Sequence, residues 1–530
     1  MITGPAGRIR GAARNAGDLG WSAMRAWRSS GLSIPWNPLT GARLGRDLFV
    51  HGVSPAIGWA AAADRHPDAL AVVDSHGYWL SQREAELLTR QATVALRAFG
   101  LTNGSTAAIL GRNSAGFAVS IAAVARTGAD LLYLNPGFSQ SQIQDLCEQR
   151  NVVLVLADPD LAAAVPSGTA TWDLTQPRGW GAGPAGGFRV SPGGGRHIIL
   201  TSGTTGRPKG ADRSRTPLEA TISLLSALPY RERGTHVMAA PLFHSWGWLN
   251  HRLSALLDST EIMVPRPTAD AVLSAAAHHR AELIITTPVV VRRLAEAGPG
   301  NRDLSALRGV LVSGAPLPAD VIAEFRRGFG DTLFNLYGST EVGYATVATP
   351  ADLAAAPDTA GRPLAGVTVA ILDDDGAPVV SGQTGNVWVG SSATFDGYLD
   401  GGDKERRPDG LVATGDIGRF DGAGRLFIKG RSDDLIISGG ENVHPTEVED
   451  VLRACPGVTD IAAVGRPDER FGQHVACYVV PALDADGGRL PAAIEAFADR
   501  HLAPYQRPAE VHLVTELPRN ETGKVLRRLL

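Results

Sequence analysis

Short apolar runs, many of them β-branched, alternate with longer helical patterns from about residue 50 onward, and this alternation constrains the fold most strongly. The runs are TAAILG at 106–111, DLLYLN at 130–135, VVLVLA at 152–157, HIILTS at 197–202, ELIITT at 282–287 and GVLVSG at 309–314. The stretch at 81–99 between them is helical in pattern, with much of one face formed by Leu87, Leu88, Ala92, Val94, Ala95 and Leu96. Strands that alternate with helices predict a layered α/β protein whose sheets are largely parallel.

The pattern changes after about residue 365. The segments VTVAILDDDGAPVV at 367–380 and GRFDGAGRLFIKG at 418–430 each place a Gly-containing turn between alternating segments, which predicts hairpins in a β-rich subdomain. Mixed α/β patterning then returns, with a helix predicted at 444–455, where Pro445 suits the first helical position. We therefore predict an N-terminal extension at 1–50, a large domain at 51–431 with its β-rich subdomain at about 365–431, and a small C-terminal α+β domain at 432–530. The Gly- and Pro-rich segment at 171–196 is predicted to be a flexible linker.

Composition and charge narrow the function classes. A chain of 530 residues, 44% hydrophobic and 20% charged, is expected to bury a sizeable core in several subdomains. A net charge of −4 without a basic stripe disfavours nucleic acid as a partner. Three widely spaced cysteines, Cys147, Cys455 and Cys477, offer neither a disulfide framework nor a CxxC metal site. Because there is also no membrane-spanning run and no secretory signal, we expect a cytoplasmic protein.

The first thirty residues are basic. They contain five arginines and a single acidic residue, Asp18. Trp21, Met24 and Trp27 occur at helical spacing. Two interpretations stay open: peripheral contact with the anionic inner surface of a membrane, or a poorly ordered or locally docked terminus.

The segment TSGTTGRPKG at 201–210 follows the apolar run at 198–200. A Gly/Ser/Thr loop after a strand directs backbone N–H groups and hydroxyls toward one point, and Lys209 adds a positive charge, so phosphate is the expected ligand. It is not the GxxxxGK[ST] loop, because Gly203 and Gly206 are three apart and Gly210 follows Lys209. Taken alone, the segment could also be a flexible surface turn.

This loop resembles the phosphate-binding motif of the adenylate-forming superfamily, which comprises acyl-CoA synthetases, luciferases and the adenylation domains of peptide synthetases. Further segments are similar to the family's motifs and follow in the same order. These are SGAPLP at 313–318, YGSTE at 337–341, TGD at 414–416, GRSDDLIISGGENVHPTEVE at 430–449 and PRNETGKVLRR at 518–528. The resemblance covers roughly residues 50–530, and it is to the acyl-CoA synthetase or fatty-acid–CoA ligase branch.

The resemblance implies a nucleotide site in which Tyr337 stacks on adenine, Asp416 binds the ribose hydroxyls and Arg431 lies near ribose and phosphate. Thr340 is implied to bind phosphate, and Glu341, together with Thr201, to hold Mg²⁺. The complete predicted nucleotide set is Thr201, Ser202, Gly203, Thr204, Thr205, Gly206, Lys209, Gly314, Ala315, Pro316, Tyr337, Gly338, Ser339, Thr340, Asp416 and Arg431.

The resemblance also implies the reaction. The co-substrates are ATP and CoA: a carboxylate attacks the α-phosphate of ATP to give acyl-AMP and pyrophosphate, and a thiol then displaces AMP. Lys524 matches the family's catalytic lysine, and Thr340, Glu341 and His244 complete the predicted catalytic set. Ser438, Gly439 and Gly440 are implied to line the path of CoA. Since the two steps need different groups at one site, a mobile C-terminal domain is expected to swivel about Asp433.

The segment PLFHSWGWLN at 241–250 matches the region before the acyl pocket. Its predicted acyl contacts are His244, Trp246 and Gly247, joined by Gly314 and Gly338 from the other motifs. Amino-acid-activating relatives place an aspartate in this segment and this chain has none, so an uncharged acyl tail is expected, with a fatty acid ahead of an aryl acid. One departure from the family is ADRSRTP at 211–217, where relatives carry a hydrophobic stretch followed by His or Thr.

The sequence is compatible with three functions. CoA is the expected acceptor, because only six residues follow Lys524 and no carrier domain is fused. A ligase that loads a separate acyl carrier protein stays open. A non-catalytic nucleotide-binding scaffold is disfavoured because Lys524, Glu341 and Asp416 are all retained. The sequence predicts no oligomeric state.

Overall fold

A computed structural model describes residues 22–26, 28, 30–31, 55–57, 59–180, 195–201, 209–213, 217–395, 397–399, 404–438, 441–468, 470–483, 485–520 and 523–530; for Thr201 and Asn442 it describes only the backbone. No helix in this part of the chain is long and apolar enough to span a membrane. The three cysteines are free thiols and are buried.

The strands lie in four sheets. They are β1 (Leu70–Val73), β2 (Trp79–Ser81), β3 (Thr106–Leu110), β4 (Asp130–Leu134), β5 (Val152–Ala157), β6 (Ala170–Asp173), β7 (His197–Thr201), β8 (Lys209–Asp212), β9 (Thr235–Met238), β10 (Thr260–Met263), β11 (Leu283–Thr286), β12 (Gly309–Val312), β13 (Leu333–Ser339), β14 (Gly343–Ala348), β15 (Arg362–Pro363), β16 (Thr368–Leu372), β17 (Gly385–Gly390), β18 (Val412–Phe420), β19 (Leu426–Arg431), β20 (Ile436–Ser438), β21 (Glu441–Val443), β22 (Val458–Asp468), β23 (Gly472–Pro481) and β24 (Pro508–Leu513).

The helices connect and cover these sheets. They are α1 (Ala60–Arg65), α2 (Gln82–Phe99), α3 (Ala115–Thr127), α4 (Gln140–Gln149), α5 (Leu218–Ala227), α6 (Ser245–Leu256), α7 (Ala269–His278), α8 (Pro288–Ala297), α9 (Ala319–Phe329), α10 (Pro350–Ala355), α11 (Pro445–Arg453) and α12 (Leu490–His501).

Two large sheets form the body of the protein. The first has the order β6-β5-β3-β4-β7-β8, and the second has the order β15-β14-β13-β12-β11-β9-β10-β1-β2. The pairs from β6 to β7 and from β13 to β1 are parallel. All six strands predicted from the sequence are present, which confirms the layered α/β fold.

The largest core lies between these two sheets. Neighbouring residues of β11 pack into different cores. Ile285 packs into this central core, while Ile284 packs with α7, α8 and α9 on the other face of the sheet. Because side chains alternate across a strand, a strand buried on both faces reads as a continuous apolar run. This is why the predicted strands are so uniformly hydrophobic.

Helix α2 shows how local sequence sets an element. Ser81 and Glu84 form a capping box at its start, and Gly100, with φ of +109°, ends it. Leu88, Ala92 and Leu96 are buried, but Leu87 is 47% exposed. The prediction that Leu87 belongs to the buried face is therefore wrong.

The β-rich segment is a four-stranded antiparallel sheet, β16-β17-β18-β19. The predicted hairpin at 418–430 joins β18 to β19. The predicted hairpin at 367–380 forms only as a short turn: the Asp373 N–H donates to the Ala377 carbonyl, the Val379 N–H donates to the Ile371 carbonyl, and Leu372 bridges Pro378. The return segment is not a strand, and β16 pairs with β17 as its strand partner. The C-terminal part is a mixed sheet of β20 to β24 packed with α11 and α12 around its own core.

The segment predicted to be a flexible linker is ordered in its first part. Residues 170–173 form β6, Leu174 is fully buried, and Trp180 is buried with its indole N–H donating to the Asp173 carbonyl at 2.8 Å. The aromatic and leucine side chains that anchor this stretch outweigh its glycines. Residues 181–194 lie outside the described part of the chain.

Candidate active site

The ends of adjacent parallel strands place the predicted motifs at one edge of the second sheet. Strands β11, β12 and β13 are neighbours, and ligand sites in parallel sheets lie beyond the carboxyl ends of strands. Ser313 follows β12 and its hydroxyl donates to the Leu336 carbonyl of β13 at 2.9 Å. Gly314 has φ of +105°, a conformation that favours glycine, and it directs residues 314–316 away from the sheet.

Tyr337 lies in β13, where the pairing with β14 is irregular. Its hydroxyl donates to Oδ2 of Asp416 at 2.5 Å. Gly338 is required by the close approach of the hairpin, because a Cβ there would lie 2.1 Å from the Gly343 carbonyl oxygen. The phenol and the carboxylate, 79 positions apart, therefore belong to one site.

Asp416 and Arg431 are cross-strand neighbours in β18 and β19. Arg431 donates from Nη1 to Asp416 at 3.4 Å and from Nε to Asp433 at 2.9 Å. Burial opposes the charge of Arg431, but the bonds to Asp433 and the charge of Asp416 outweigh it and raise the pKa. Asp433, the predicted hinge, is thus tied directly to the predicted ribose and phosphate residue.

Asp416 also interacts electrostatically with Lys524 in the C-terminal part of the chain. Burial raises the pKa of Asp416, and this effect is opposed by the charge of Arg431, the hydrogen bond from Tyr337 and the charges of Lys524 and Lys404. Lys524 likewise helps to lower the pKa of Asp433, against the effect of burial. The structure therefore brings Lys524 electrostatically into the group of Tyr337, Asp416 and Arg431.

The turn that holds Lys524 packs against the large domain. The Asn520 side chain accepts a hydrogen bond from the Lys524 backbone N–H at 2.8 Å. Gly523 is buried with φ of +86°, and a Cβ there would lie 2.8 Å from Cβ of Val289 in α8. Only a glycine allows this approach, and the Lys524 side chain itself is exposed.

Glu341 is held by a residue that the sequence did not single out. Tyr398 donates to Oε1 of Glu341 at 2.5 Å, and Nζ of Lys209 lies 5.1 Å from the centre of the Tyr398 ring. Burial acts to raise the pKa of Glu341, but hydrogen bonds from Tyr398 and Ser339 outweigh it, so the pKa is lowered and the carboxylate is ionised at neutral pH. Lys404 adds to this effect. No local motif marks Tyr398, because its place depends on a bridge to Ala211.

The hydroxyls of Thr340 and Ser245 are 3.5 Å apart. Ser245 is the first residue of α6 and follows His244, so its position next to a predicted site residue was a signal that sequence reasoning left unused. The phosphate loop joins this region through Lys209, which is paired with Thr201 between β8 and β7. The predicted contacts Ser202, Gly203, Thr204, Thr205 and Gly206 and the Thr201 side chain lie outside the described residues.

His244 is an uncharged, partly buried histidine whose Nε2 atom is buried. Burial lowers its pKa to about 4, its ring packs 4.5 Å from that of Phe243, and Nε2 has no hydrogen-bond partner among the described residues. A buried ring nitrogen without a partner is rare in proteins and points to a ligand. His244 therefore stays a candidate substrate contact.

Trp246 and Gly247, which are predicted acyl contacts, both have packing roles in the structure. The Trp246 indole is buried and donates to the Thr286 carbonyl at 2.9 Å. A Cβ on Gly247 would lie 2.1 Å from the Pro241 carbonyl oxygen, so this glycine permits close backbone packing and does not keep a pocket open.

A narrow pocket of about 40 Å³ opens beside Ser245 and Ser339. Five large apolar side chains line it: Leu224, Trp248, Leu249, Leu364 and Val367. Its polar lining includes Arg213, Glu219 and Ser223. A mainly apolar lining with a few polar groups is typical of sites that bind small molecules. None of the five predicted acyl contacts belongs to its lining, which α5, α6 and the segments after β13 and β15 supply.

Of the predicted CoA contacts, Ser438 ends β20 and pairs with Glu441, while Gly439 and Gly440 lie outside the described residues. At the N-terminus, Ala26 and Ser30 are buried, and the Ser30 carbonyl accepts a hydrogen bond from the Glu232 N–H at 2.7 Å. Met24, Arg25 and Arg28 are exposed.

Comparison with known proteins gives a coherent picture. The profile of the AMP-binding enzyme family matches residues 59–399, and that of the AMP-binding enzyme C-terminal domain matches residues 447–524. The indoleacetate–CoA ligase of Aromatoleum aromaticum is 33% identical over 474 residues, 84% of this chain and 91% of the relative. The fatty acid–[acyl-carrier-protein] ligase ScoC of Streptomyces coeruleorubidus is 28% identical over 88% of this chain and 94% of the relative.

A solved structure adds to these matches. The o-succinylbenzoate CoA synthetase MenE of Bacillus subtilis, in complex with its acyl-adenylate intermediate, superposes with a TM-score of 0.76 at 25% identity. The superposition covers 89% of this chain and 97% of that one. Each of the three proteins is named for joining an acid to CoA or to an acyl carrier protein.

Proposed function

The chain belongs to the AMP-binding enzyme family, and on this premise we propose that it is an AMP-forming acid–thiol ligase that converts a carboxylic acid to its CoA thioester. The observation that carries the proposal is the joint site in which Tyr337 and Arg431 hold Asp416 while the charge of Lys524 reaches the same carboxylate. ATP and CoA are the co-substrates.

In the first step, a carboxylate oxygen attacks the α-phosphorus of ATP and the bond to the bridging oxygen of pyrophosphate breaks. Both reactants are anions, so positive charge is needed where they meet. We assign this role to Lys524, with Lys209 and Lys404 near Glu341 and Asp416. Asp416 accepts the ribose hydroxyls, and Tyr337 stacks on the adenine ring.

The residues present fit a magnesium ion. Mg²⁺ takes oxygen ligands and is usually held by one or two carboxylates together with phosphates and water. Glu341 is ionised, and its hydrogen bond to Tyr398 engages Oε1 alone. Glu341, with Thr201 as a proposed second ligand, would hold the ion, which would neutralise phosphate charge during the reaction.

In the second step, the thiol sulfur of CoA attacks the acyl carbon and AMP leaves with the electrons of its bond to that carbon. We propose that the domain formed by residues 432–530 swivels about Asp433 between the steps. Ser438, Gly439 and Gly440 then line the path of CoA, where glycines would let a thin ligand pass close to the backbone.

The acid is proposed to have a largely apolar body that enters this pocket, with the lining side chains moving apart to admit it. Its apolar side chains favour a fatty or an aryl acid, and the relatives named above act on both kinds. His244, with its free buried nitrogen, is proposed to contact the acyl group at the pocket entrance.

An acyl carrier protein is the alternative acceptor, and the similarity to ScoC favours keeping it. Mass spectrometry of the products formed with CoA and with a phosphopantetheinylated carrier protein separates the two.

The N-terminal segment is proposed as the site of any peripheral membrane contact, through the exposed Met24, Arg25 and Arg28. Its docking through Ala26 and Ser30 equally supports a purely structural terminus. Co-sedimentation of the full chain with anionic vesicles distinguishes them: binding that salt abolishes supports the membrane role.

The central test is acid-dependent pyrophosphate release from ATP across short, long, aryl and dicarboxylic acids. Release with at least one acid, followed by a CoA thioester on addition of CoA, is the expected result. Tight ATP binding without release for any acid would instead support the non-catalytic scaffold.

A further inference from the structure

We propose that the acid activated by this protein carries a second carboxylate on its otherwise apolar body, and that Arg213 binds this second carboxylate. The inference rests on the proposed function and names its substrate class, the dicarboxylic acids.

Arg213 follows β8 directly and its side chain lines the pocket beside Ser245 and Ser339. Nη1 donates to the Ala393 carbonyl at 2.8 Å, which is the only hydrogen bond of the guanidinium within the described part of the chain. A guanidinium offers five N–H donors in a planar fork that matches a carboxylate. Most of its donor capacity is therefore left for a ligand in the pocket.

Within the described residues, the charge of Arg213 also has no ion-pair partner. Burial lowers its pKa, yet an arginine stays protonated at any physiological pH. Glu341 and Asp212 act on it through space, but no carboxylate of a described residue forms an ion pair with it. A partly buried charge without an ion-pair partner is less stable than a paired one, so an anionic ligand would stabilise it.

The position of the guanidinium ties it to the reaction site. Nη2 lies 3.6 Å from where a Cβ on Gly343 would be, and Gly343 is two residues beyond Glu341. Lys209, the cation proposed for phosphate, is four residues earlier, or about 13 Å along an extended strand. Arg213 thus faces the pocket that starts at Ser339 and Ser245.

The remaining lining decides what the ligand looks like between its two ends. Leu224, Trp248 and Leu249 offer no donors to a polar chain, apart from the indole N–H of Trp248, which is bonded to Tyr133. A simple fatty acid would leave the guanidinium buried against hydrocarbon. A dicarboxylic acid places its apolar body against these side chains and its second carboxylate on Arg213.

The test compares monocarboxylic acids with the α,ω-dicarboxylic acids of the same lengths, from four to twelve carbons, and with aryl acids bearing one or two carboxylates. Pyrophosphate release gives kcat/KM for each acid with the wild type, Arg213→Met and Arg213→Lys. Arg489→Met is the matched control, since that arginine is 91% exposed in its side chain.

We expect the wild type to prefer at least one dicarboxylic acid over its matched monocarboxylic acid by about tenfold or more, the size expected for a charged hydrogen bond. Arg213→Met should remove this preference and leave the monocarboxylic acids as good substrates, while Arg213→Lys and Arg489→Met retain it.

Three results would overturn the inference. Wild-type preference for monocarboxylic acids at every length would do so without reference to any variant. A rise in KM for ATP in Arg213→Met, with unchanged acid selectivity, would place Arg213 at the phosphates. Release with no acid at all would remove the proposed function itself, whereas release with monocarboxylic acids alone removes only this inference.

Discussion

Asp416 shows how the site depends on single residues. Its carboxylate is buried, accepts from Tyr337 at 2.5 Å and from Arg431 at 3.4 Å, and lies within the electrostatic reach of Lys524. The motifs locate these residues along the sequence but not the bonds among them. Those bonds depend on register, since Asp416 faces Arg431 only because β18 and β19 pair with an irregularity between Ile417 and Gly418.

The first prediction concerns Asp416→Asn. Loss of the charge should weaken the ribose contact by about 1.5–3 kcal/mol and raise KM for ATP by roughly tenfold to a hundredfold. Steady-state pyrophosphate release against ATP concentration measures this, with Asp68→Asn, an exposed carboxylate paired to Arg83, as control. An unchanged KM for ATP in Asp416→Asn would exclude Asp416 as the ribose ligand.

Tyr398 and Arg213 mark the limit of sequence reasoning at this scale. Tyr398 reaches Glu341 from 57 residues away and no pattern around it is unusual. Arg213 lies in the segment where the chain departs from its relatives, so the sequence flagged the place without giving the role. Trp246 and Gly247 show why sequence alone does not separate the two roles, because packing and substrate contact favour the same residue types.

At the scale of elements, the sequence predicted strands better than their partners. The six apolar runs became strands because burial on both faces demands uninterrupted apolar residues. The hairpin at 367–380 is shorter than predicted: its turn closes with the Leu372–Pro378 bridge, but the return segment forms no strand and Val380 is 66% exposed. Strand β16 pairs with β17, which is more distant in the sequence.

Two strands carry buried histidines that make stability depend on pH. Burial lowers the pKa of His236 in β9 and of His197 in β7 to about 3, from an ordinary value of 6.5. The native state therefore stays neutral while the unfolded state binds protons below pH 6.5. The stabilisation is complete above pH 6.5 and is lost as the pH falls toward 3.

The second prediction is that each of these histidines lowers the free energy of unfolding by about 2 kcal/mol at pH 5 relative to pH 7. His236→Asn should reduce this pH dependence by that amount, because asparagine can keep the bond to Ser254 and does not titrate. Urea unfolding at the two pH values measures it. Equal pH dependence in both proteins would contradict the assignment.

At the scale of the whole molecule, the proposed adenylation step requires the C-terminal turn to pack against the large domain. Gly523 makes this contact with Val289 without room for a side chain. The sequence placed Lys524 in the mechanism by resemblance, but it could not show that the preceding glycine sets the distance between the two domains.

The third prediction is that Gly523→Ala slows adenylation by about tenfold or more, because even a small displacement of a catalytic group is costly. Thioester formation from supplied acyl-AMP should be retained. Gly410→Ala is the control, since Gly410 has a similar φ of +88° with nothing within 4 Å of its Cβ position. Equal loss of both half-reactions would show that the change is only structural.

The most direct test of the central claim, that Lys524 reaches the nucleotide cleft to act in adenylation, is the separate measurement of the two half-reactions in Lys524→Ala. We predict that acid-dependent pyrophosphate release falls by about a hundredfold or more, as for loss of a charge that stabilises the transition state. CoA thioester formation from supplied acyl-AMP should stay near the wild-type rate. Wild-type pyrophosphate release in Lys524→Ala, or equal loss of both half-reactions, would contradict the account.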